Sequence, residues 1–337
     1  MKPSPRFVAS VLSLCLSVVA CRDDSDSPAG PSATASQVEP AAAAALVFRQ
    51  ISAGNAHTCG VTTDDRAYCW GDGFPGKAGV GSDPPEFCMD WDNCITRPVA
   101  VLGSQRFRVV SAGRETTCGV TTADRAYCWG SNSGGTLGIG TATGPDICAG
   151  NESNVPCSGV PTAVVGGLHF RGVSVGGAHA CGITTDGLAY CWGWNGSGQL
   201  GDGTTTMRTK PKAVAGGRHF LGISAGSAHT CGLTTDNVAY CWGYNASGQL
   251  GDSTRAMRTS PVRVAGGRRF RQLDSGVDHT CAVATSGRGF CWGYNFSGQL
   301  GEGTHNSRLA PTAVGGGLLF AQLTAGGSHA CGRTAAG

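Results

Sequence analysis

A unit of about 50 residues recurs along this chain, and this repeat constrains the fold more than any other feature. A Trp-Gly pair marks five copies, and their tryptophans are 59, 63, 50 and 50 residues apart: Trp70, Trp129, Trp192, Trp242 and Trp292. A sixth copy begins near Ser328 and includes Cys331. Repeats of this length bury their apolar faces against their neighbours, so the chain is predicted to form an array of similar units.

The composition predicts that the units are built from strands. Gly accounts for 55 of the 337 residues and is spread through every copy. Inside a helix each Gly costs about 1 kcal/mol relative to Ala, so long helices are disfavoured. A hydrophobic content of 40% argues against disorder, and a net charge of +3 without a basic stripe argues against a nucleic-acid partner.

Each copy carries two cysteines that flank a turn. In the fourth copy, Cys231 and Cys241 are predicted to face each other across a hairpin with a three-residue loop, 235–237. The third loop residue usually has positive φ, and every copy has a tolerant residue there: Asp65, Asp124, Gly187, Asn237 and Gly287. This register gives a non-hydrogen-bonded pair with Cα atoms about 4.5 Å apart, close enough for a disulfide.

The hairpin register therefore predicts five disulfides, Cys59–Cys69, Cys118–Cys128, Cys181–Cys191, Cys231–Cys241 and Cys281–Cys291. Buried free thiols are the alternative. A total of 17 cysteines without zinc-type Cys-x-x-Cys pairs favours an oxidising compartment.

The N-terminus resembles a bacterial lipoprotein signal. Lys2 and Arg6 precede about fourteen mostly apolar residues, which is too short for a membrane span. We expect residues 1–20 to be a signal peptide, Cys21 to carry the lipid, and residues 21–45 to be a flexible Ala/Ser/Pro-rich linker. Ordinary secretion after cleavage near Ala20 is the alternative.

The repeat itself resembles a known family. The pattern AGxxHTCGxTTDxxAYCWGxNxSGQLGDGT, over about residues 46–337, is similar to the RCC1 (regulator of chromosome condensation) repeat. The resemblance implies an all-β, RCC1-type β-propeller of four-stranded blades, with seven blades in a complete ring. Five to six blades are present, and Cys331 lacks a partner within the sequence, so we expect a propeller that is incomplete at its C-terminus. A six-bladed ring closed by residues 46–54 is the alternative.

Two copies carry insertions before the proline of their last strand. The first two tryptophan spacings exceed 50 by nine and thirteen residues, and each insertion has its own cysteine pair, Cys88 with Cys94 and Cys148 with Cys157. The first also has Phe87, Met89 and Trp91, which we interpret as a candidate binding loop because stapled loops with aromatic anchors suit recognition. Decoration of the rim is the alternative, and a calcium site at Asp90, Asp92 and Asn93 lacks a full ligand set.

No motif predicts catalysis, a cofactor or a metal site. In five copies a histidine lies two residues before the first cysteine: His57, His179, His229, His279 and His329. The second copy has Thr116 at this position. This pattern indicates structural hydrogen bonds. The sequence has no GxSxG elbow and no HExxH motif.

We therefore expect a non-enzymatic, monomeric binding module that is lipid-anchored at the bacterial cell envelope or surface. One propeller face would bind a protein or a glycan, and the lipid would be the sole membrane contact. Guanine-nucleotide exchange on a small GTPase, as in the founding family, is an alternative that export disfavours. A polysaccharide-acting enzyme is another, although no recurring carboxylate pair supports it.

Overall fold

The computed structural model describes residues 45–81, 94–149 and 154–334. The predicted signal peptide, Cys21 and all but the last residue of the predicted linker lie outside these residues. So do Cys88 and the candidate binding residues Phe87, Met89 and Trp91.

The described residues form successive antiparallel sheets, most of them four-stranded, which confirms the predicted all-β fold of four-stranded blades. Blade 1 contains β1 (Phe48–Ala53), β2 (His57–Thr62), β3 (Ala67–Asp72) and β4 (Cys94–Ala100). Blade 2 contains β5 (Phe107–Ala112), β6 (Thr116–Thr121), β7 (Ala126–Ser131), β8 (Asp146–Ala149) and β9 (Asn154–Ala163). Blade 3 contains β10 (Phe170–Val175), β11 (His179–Thr184), β12 (Ala189–Gly193) and β13 (Arg208–Ala213).

The later blades repeat this order. Blade 4 contains β14 (Phe220–Ala225), β15 (His229–Thr234), β16 (Ala239–Gly243) and β17 (Arg258–Arg263). Blade 5 contains β18 (Phe270–Ser275), β19 (His279–Ala284), β20 (Gly289–Gly293) and β21 (Arg308–Ala313). A two-stranded sheet follows, with β22 (Phe320–Ala325) and β23 (Ala330–Thr334). Single 3-10 turns lie at Ser133–Gly135 and Gly315–Gly317.

The hairpin between the second and third strands has the predicted register. Cys231 lies opposite Cys241, and the loop closes with a 2.9 Å bond from Thr234 N to Val238 O. The third loop residue has positive φ in all five blades, from 62° at Asp124 to 92° at Gly187. Five disulfides join the facing cysteines, whose Cα atoms are 4.0–4.1 Å apart: Cys59–Cys69, Cys118–Cys128, Cys181–Cys191, Cys231–Cys241 and Cys281–Cys291. Cys331 in β23 is an exposed free thiol.

The hydrophobic core lies between blades and is built from one tryptophan per interface. Trp242 of blade 4 is fully buried against Leu200 of blade 3, and its Nε1 donates to Gln199 O at 2.9 Å. A Cβ added at Gly201 would lie 2.6 Å from this indole, so the Leu-Gly pair of one blade forms the socket for the tryptophan of the next. Each repeat thereby packs on its neighbour.

The first strands of successive blades line a central cavity of about 850 Å³. Side chains bridge these strands: the Gln50 amide donates to Val110 O at 2.9 Å and accepts from Val110 N at 3.1 Å. Ser111 Oγ accepts from Val175 N at 3.0 Å in the same way. Polar side chains therefore satisfy backbone groups between the inner strands of neighbouring blades. Closure into a ring is not observed among the described residues, and seven blades remains a prediction.

Candidate functional site

The antiparallel strand order sorts the connections onto two faces. The turns after the first strand and the connections from third to fourth strand emerge at one end of the blades, which we call the loop face. The hairpins after the second strand and the links between blades emerge at the other end, the hairpin face. Both predicted insertions belong to connections on the loop face.

In blades 2–5 a buried asparagine organises the connection from the third to the fourth strand. In blade 4, Asn245 Oδ1 accepts from Leu250 N at 3.0 Å, while Nδ2 donates to Ala256 O at 3.0 Å and to Asp252 Oδ1 at 3.1 Å. Asn132, Asn195 and Asn295 hold equivalent positions and are also buried. The asparagine of the repeated NxSGQLG turn is therefore structural.

An internal ion pair closes the same connection. The ion pairs Asp202–Arg208, Asp252–Arg258 and Glu302–Arg308 have N–O distances of 2.7–2.8 Å, and their carboxylates are only 0–6% exposed. Burial disfavours ionisation of Asp202, but hydrogen bonds from Thr204 and Arg208 outweigh it and lower the pKa of this carboxyl. The paired charges leave little net charge on these loops.

The blade 2 insertion forms a stapled hairpin, which adds a fifth strand. β8 pairs with β9, and a disulfide joins Cys148 to Cys157 across them with Cα atoms 5.8 Å apart. Ile147 on this hairpin is 60% exposed and Val160 is 41% exposed. The hairpin therefore presents apolar side chains on a cross-linked backbone.

The blade 1 connection packs beside that hairpin. Gly81 N donates to Gly159 O at 2.9 Å, and a Cβ added at Gly76 would lie 3.0 Å from the Gly159 Cα. Cys94, the second cysteine of the blade 1 insertion, is disulfide-bonded, and its predicted partner Cys88 lies outside the described residues. Where the structure describes them, the two connections that carry the insertions are neighbours.

Three of the repeated histidines join one blade to the next, as predicted. Buried His279 differs, because neither of its ring nitrogens has a hydrogen-bond partner among the described residues. His179 Nε2 lies 2.8 Å from Thr230 Oγ1, and the threonine hydroxyl donates its single hydrogen to Gln199 O at 2.8 Å. His179 must then donate from Nε2. The contacts of His57 with Thr117 and of His229 with Thr280 repeat this arrangement, so these side chains belong to the fold.

Sequence reasoning missed a row of exposed aromatic side chains on the loop face of blades 3–5. The residue directly after Trp-Gly is 51% exposed at Trp194, 40% at Tyr244 and 38% at Tyr294, and Phe296 is 74% exposed. The sequence indicates these aromatic side chains only when the copies are compared. Blades 1 and 2 have Asp72 and Ser131 at the position that is aromatic in blades 3–5.

Within the three described ranges, no group of His, Cys, Asp and Glu is arranged to hold a metal ion. Nor do these residues form a helix that is long and apolar enough to cross a membrane.

Known proteins share both the repeat and the fold. The chain is 31% identical to the Arabidopsis thaliana ultraviolet-B receptor UVR8 over 156 residues, which are 46% of this chain and 31% of that protein. Human WBSCR16 superimposes with a TM-score of 0.72 at 18% identity, over 86% of this chain and 72% of that one. Yeast RCC1 (Prp20), solved bound to Kap60, superimposes with a TM-score of 0.68 at 19% identity, over 86% and 68%.

These similarities support different conclusions about the fold, the activity and the family. At 18–19% identity, the two solved structures show the shared fold alone. The chain matches less than a third of the length of UVR8, so the receptor's activity does not transfer with the similarity. The model of the RCC1-like domain, however, matches residues 17–332, nearly the whole sequence. The chain therefore belongs to the RCC1-like domain family.

Proposed function

We propose that this chain is a non-catalytic protein-binding module whose partner docks on the loop face at blades 1 and 2. An RCC1-like propeller fold suggests a protein-interaction module, because its repeats build a rigid scaffold from which loops project. Within such an array, the departures from the repeat are the places where specific recognition would reside.

The stapled hairpin of blade 2 is the observation that carries the proposal. A disulfide at Cys148–Cys157 fixes the backbone before binding, so less conformational entropy is lost on association. Ile147 has no counterpart in the shorter connections of blades 3–5 and exposes 60% of its surface. An apolar side chain held rigidly in solvent suits an interface anchor.

We place the module outside the cytoplasm, anchored by lipid at Cys21 in the cell envelope, with plain secretion as the alternative. Six disulfides support an oxidising compartment: Cys148–Cys157 and the five hairpin bridges. An exported module would be separated from cytoplasmic GTPases, which argues against nucleotide exchange. Labelled palmitate should enter the wild type and not Cys21→Ala; equal labelling would refute the anchor.

A loop-exchange experiment tests the binding surface. In the test variant, residues 141–157 of the blade 2 connection are replaced by the equivalent but shorter blade 4 segment 254–257, which the same scaffold already accommodates. We expect wild type to capture a defined protein from envelope extract, identified by mass spectrometry, and the purified partner to bind the variant at least tenfold more weakly. Leu221→Ser on the hairpin face, where Leu221 is 48% exposed, is the matched control. Equal affinity of wild type and loop variant would refute this surface.

A further inference from the structure

The row formed by Trp194, Tyr244, Tyr294 and Phe296, the aromatic row, is not needed by the fold. In all five blades the backbone at the position after Trp-Gly is held by the same bond to the preceding turn: Trp194 N to Ala178 O at 2.9 Å and Ser131 N to Glu115 O at 2.8 Å are two examples. Blade 2 forms this turn with a buried serine. The exposed rings therefore add nothing that the turn requires, and large exposed apolar groups on one face indicate binding.

The ring of Trp194 is held flat against the surface. The indole of Trp194 lies on the backbone of Gly196, where an added Cβ would come within 2.9–3.1 Å of Nε1, Cε2 and Cζ2. Its inner side is thus covered, while half of the residue stays exposed. Tyr294 and Phe296 stack on each other, with centroids 6.4 Å apart and an interplanar angle of 24°. Trp194 therefore forms a platform rather than an anchor that would insert into a pocket.

The aromatic side chains repeat from blade to blade. Trp194, Tyr244 and Tyr294 hold the same position in blades 3, 4 and 5, directly after Trp-Gly. Trp194 also reaches the neighbouring blade, because its Cβ lies 3.4 Å from the position a Cβ would take at Gly134 of blade 2. An extended ligand that spans successive blades would gain affinity through multivalency.

The surroundings of the row are polar but nearly uncharged. The carboxylates of Asp202, Asp252 and Glu302 are buried in ion pairs with their own arginines. Arg255 is an exposed cation beside the row, and one of its guanidinium nitrogens donates to Ala246 O. Exposed Thr205, Thr206, Ser253 and Asn306 offer uncharged hydroxyl and amide groups.

We propose that the aromatic row binds a neutral polysaccharide. A pyranose ring has an apolar face of C–H groups, which matches the negative face of a flat aromatic ring, and a rim of hydroxyls, which matches uncharged donors and acceptors. An acidic polymer would find little unpaired positive charge there, because Arg208, Arg258 and Arg308 are each paired with a carboxylate. This site lies on blades 3–5 and is separate from the proposed protein-binding surface on blades 1 and 2.

Binding can be followed through Trp194 itself. Trp129, Trp192, Trp242 and Trp292 are fully buried, so the difference in acrylamide quenching between wild type and Trp194→Ser reports on the exposed indole. The probes are cellohexaose, chitohexaose, xylohexaose and laminarihexaose, with hexagalacturonate as the charged comparison. Affinities are measured by isothermal titration.

We expect at least one neutral hexasaccharide to bind and to protect Trp194 from quenching. Trp194→Ser should weaken this affinity at least tenfold, and the triple change of Trp194, Tyr244 and Tyr294 to Ser should abolish it. Serine is chosen because blade 2 already uses it, so the variants should keep the circular dichroism spectrum of the wild type. Leu221→Ser and the blade 2 loop exchange should bind the sugar as the wild type does.

Three outcomes would overturn the proposal. The first is that the wild type binds none of the neutral sugars, and the second is that it binds only hexagalacturonate. The third is that the serine variants bind a neutral sugar as tightly as the wild type does. A protein partner that is lost from the serine variants while no sugar binds the wild type would identify the row as a protein interface instead. Failure of the loop-exchange test leaves these outcomes unaffected, so the two proposals are tested separately.

Discussion

At the scale of single residues, one carbonyl organises the interface between blades 4 and 5. Gln249 O accepts from Trp292 Nε1 at 3.0 Å and from Thr280 Oγ1 at 3.0 Å, and Thr280 in turn accepts from His229. The interface between blades 2 and 3 lacks both the histidine and the threonine. Thr116 replaces the histidine in blade 2, and Ala180 replaces the threonine in blade 3. Thr116 there donates to Ser131 O at 2.9 Å. The histidine and the threonine are therefore both absent at that interface.

This arrangement predicts the effect of Thr230→Ala. The substitution leaves the buried His179 Nε2–H without an acceptor, which should cost about 1–3 kcal/mol of stability. The double variant His179→Thr/Thr230→Ala copies the interface between blades 2 and 3, so it should be less destabilised than the sum of its single changes. Thermal and denaturant unfolding of the four proteins measure this. Additive effects would show that the pair is not coupled.

At the scale of strands and turns, the sequence predicts what happens within a repeat better than what happens between repeats. The hairpin register followed from residues such as Asp124 and Asn237, whose tolerance of positive φ is a local property. The burial of Trp242 in the preceding blade was not predicted, because spacing along one copy does not say which neighbour its tryptophan meets. The insertions were visible as extra length, whereas the exposed Trp194 looks in sequence like any core aromatic.

The tryptophan socket predicts different outcomes for two glycines of similar conformation. Gly251 and Gly267 have φ of 66° and 64°, so alanine brings similar backbone strain, about 1–2 kcal/mol, at both. At Gly251 the new Cβ would lie 2.6 Å from Trp292, whereas at Gly267 nothing lies within 4 Å. We expect Gly251→Ala to be destabilised further, by about 1–3 kcal/mol from overpacking, with altered tryptophan emission. Thermal unfolding of both variants measures this, and equal shifts would contradict the socket.

At the scale of the whole molecule, the repeated histidines make the array sensitive to acid. Burial lowers the pKa of His57 and His229 to about 3, and that of His179 and His279 to about 4. In the unfolded chain a histidine pKa is about 6.5, so between the two values the unfolded state binds more protons. The neutral, buried histidines therefore contribute their full stabilisation above pH 6.5. This contribution is lost as the pH falls towards the histidine pKa values of the folded state, about 3–4. Burial raises the pKa of Asp274 and Asp278, and these two carboxyls act in the opposite direction.

We therefore predict that stability falls steadily from pH 7 to pH 5, by up to about 1.4 kcal/mol per pH unit for each buried histidine. Most of the paired carboxyls cannot produce this slope, because hydrogen bonds and arginines hold the pKa of groups such as Glu302 and Asp236 below their usual values. The double variant His229→Thr/Thr280→Ala removes one histidine and its threonine together and should reduce the slope by about a quarter. Unfolding transitions measured at half-unit steps of pH give both slopes. A flat profile, or an unchanged slope in the double variant, would show that the interface histidines are not the source of the acid sensitivity.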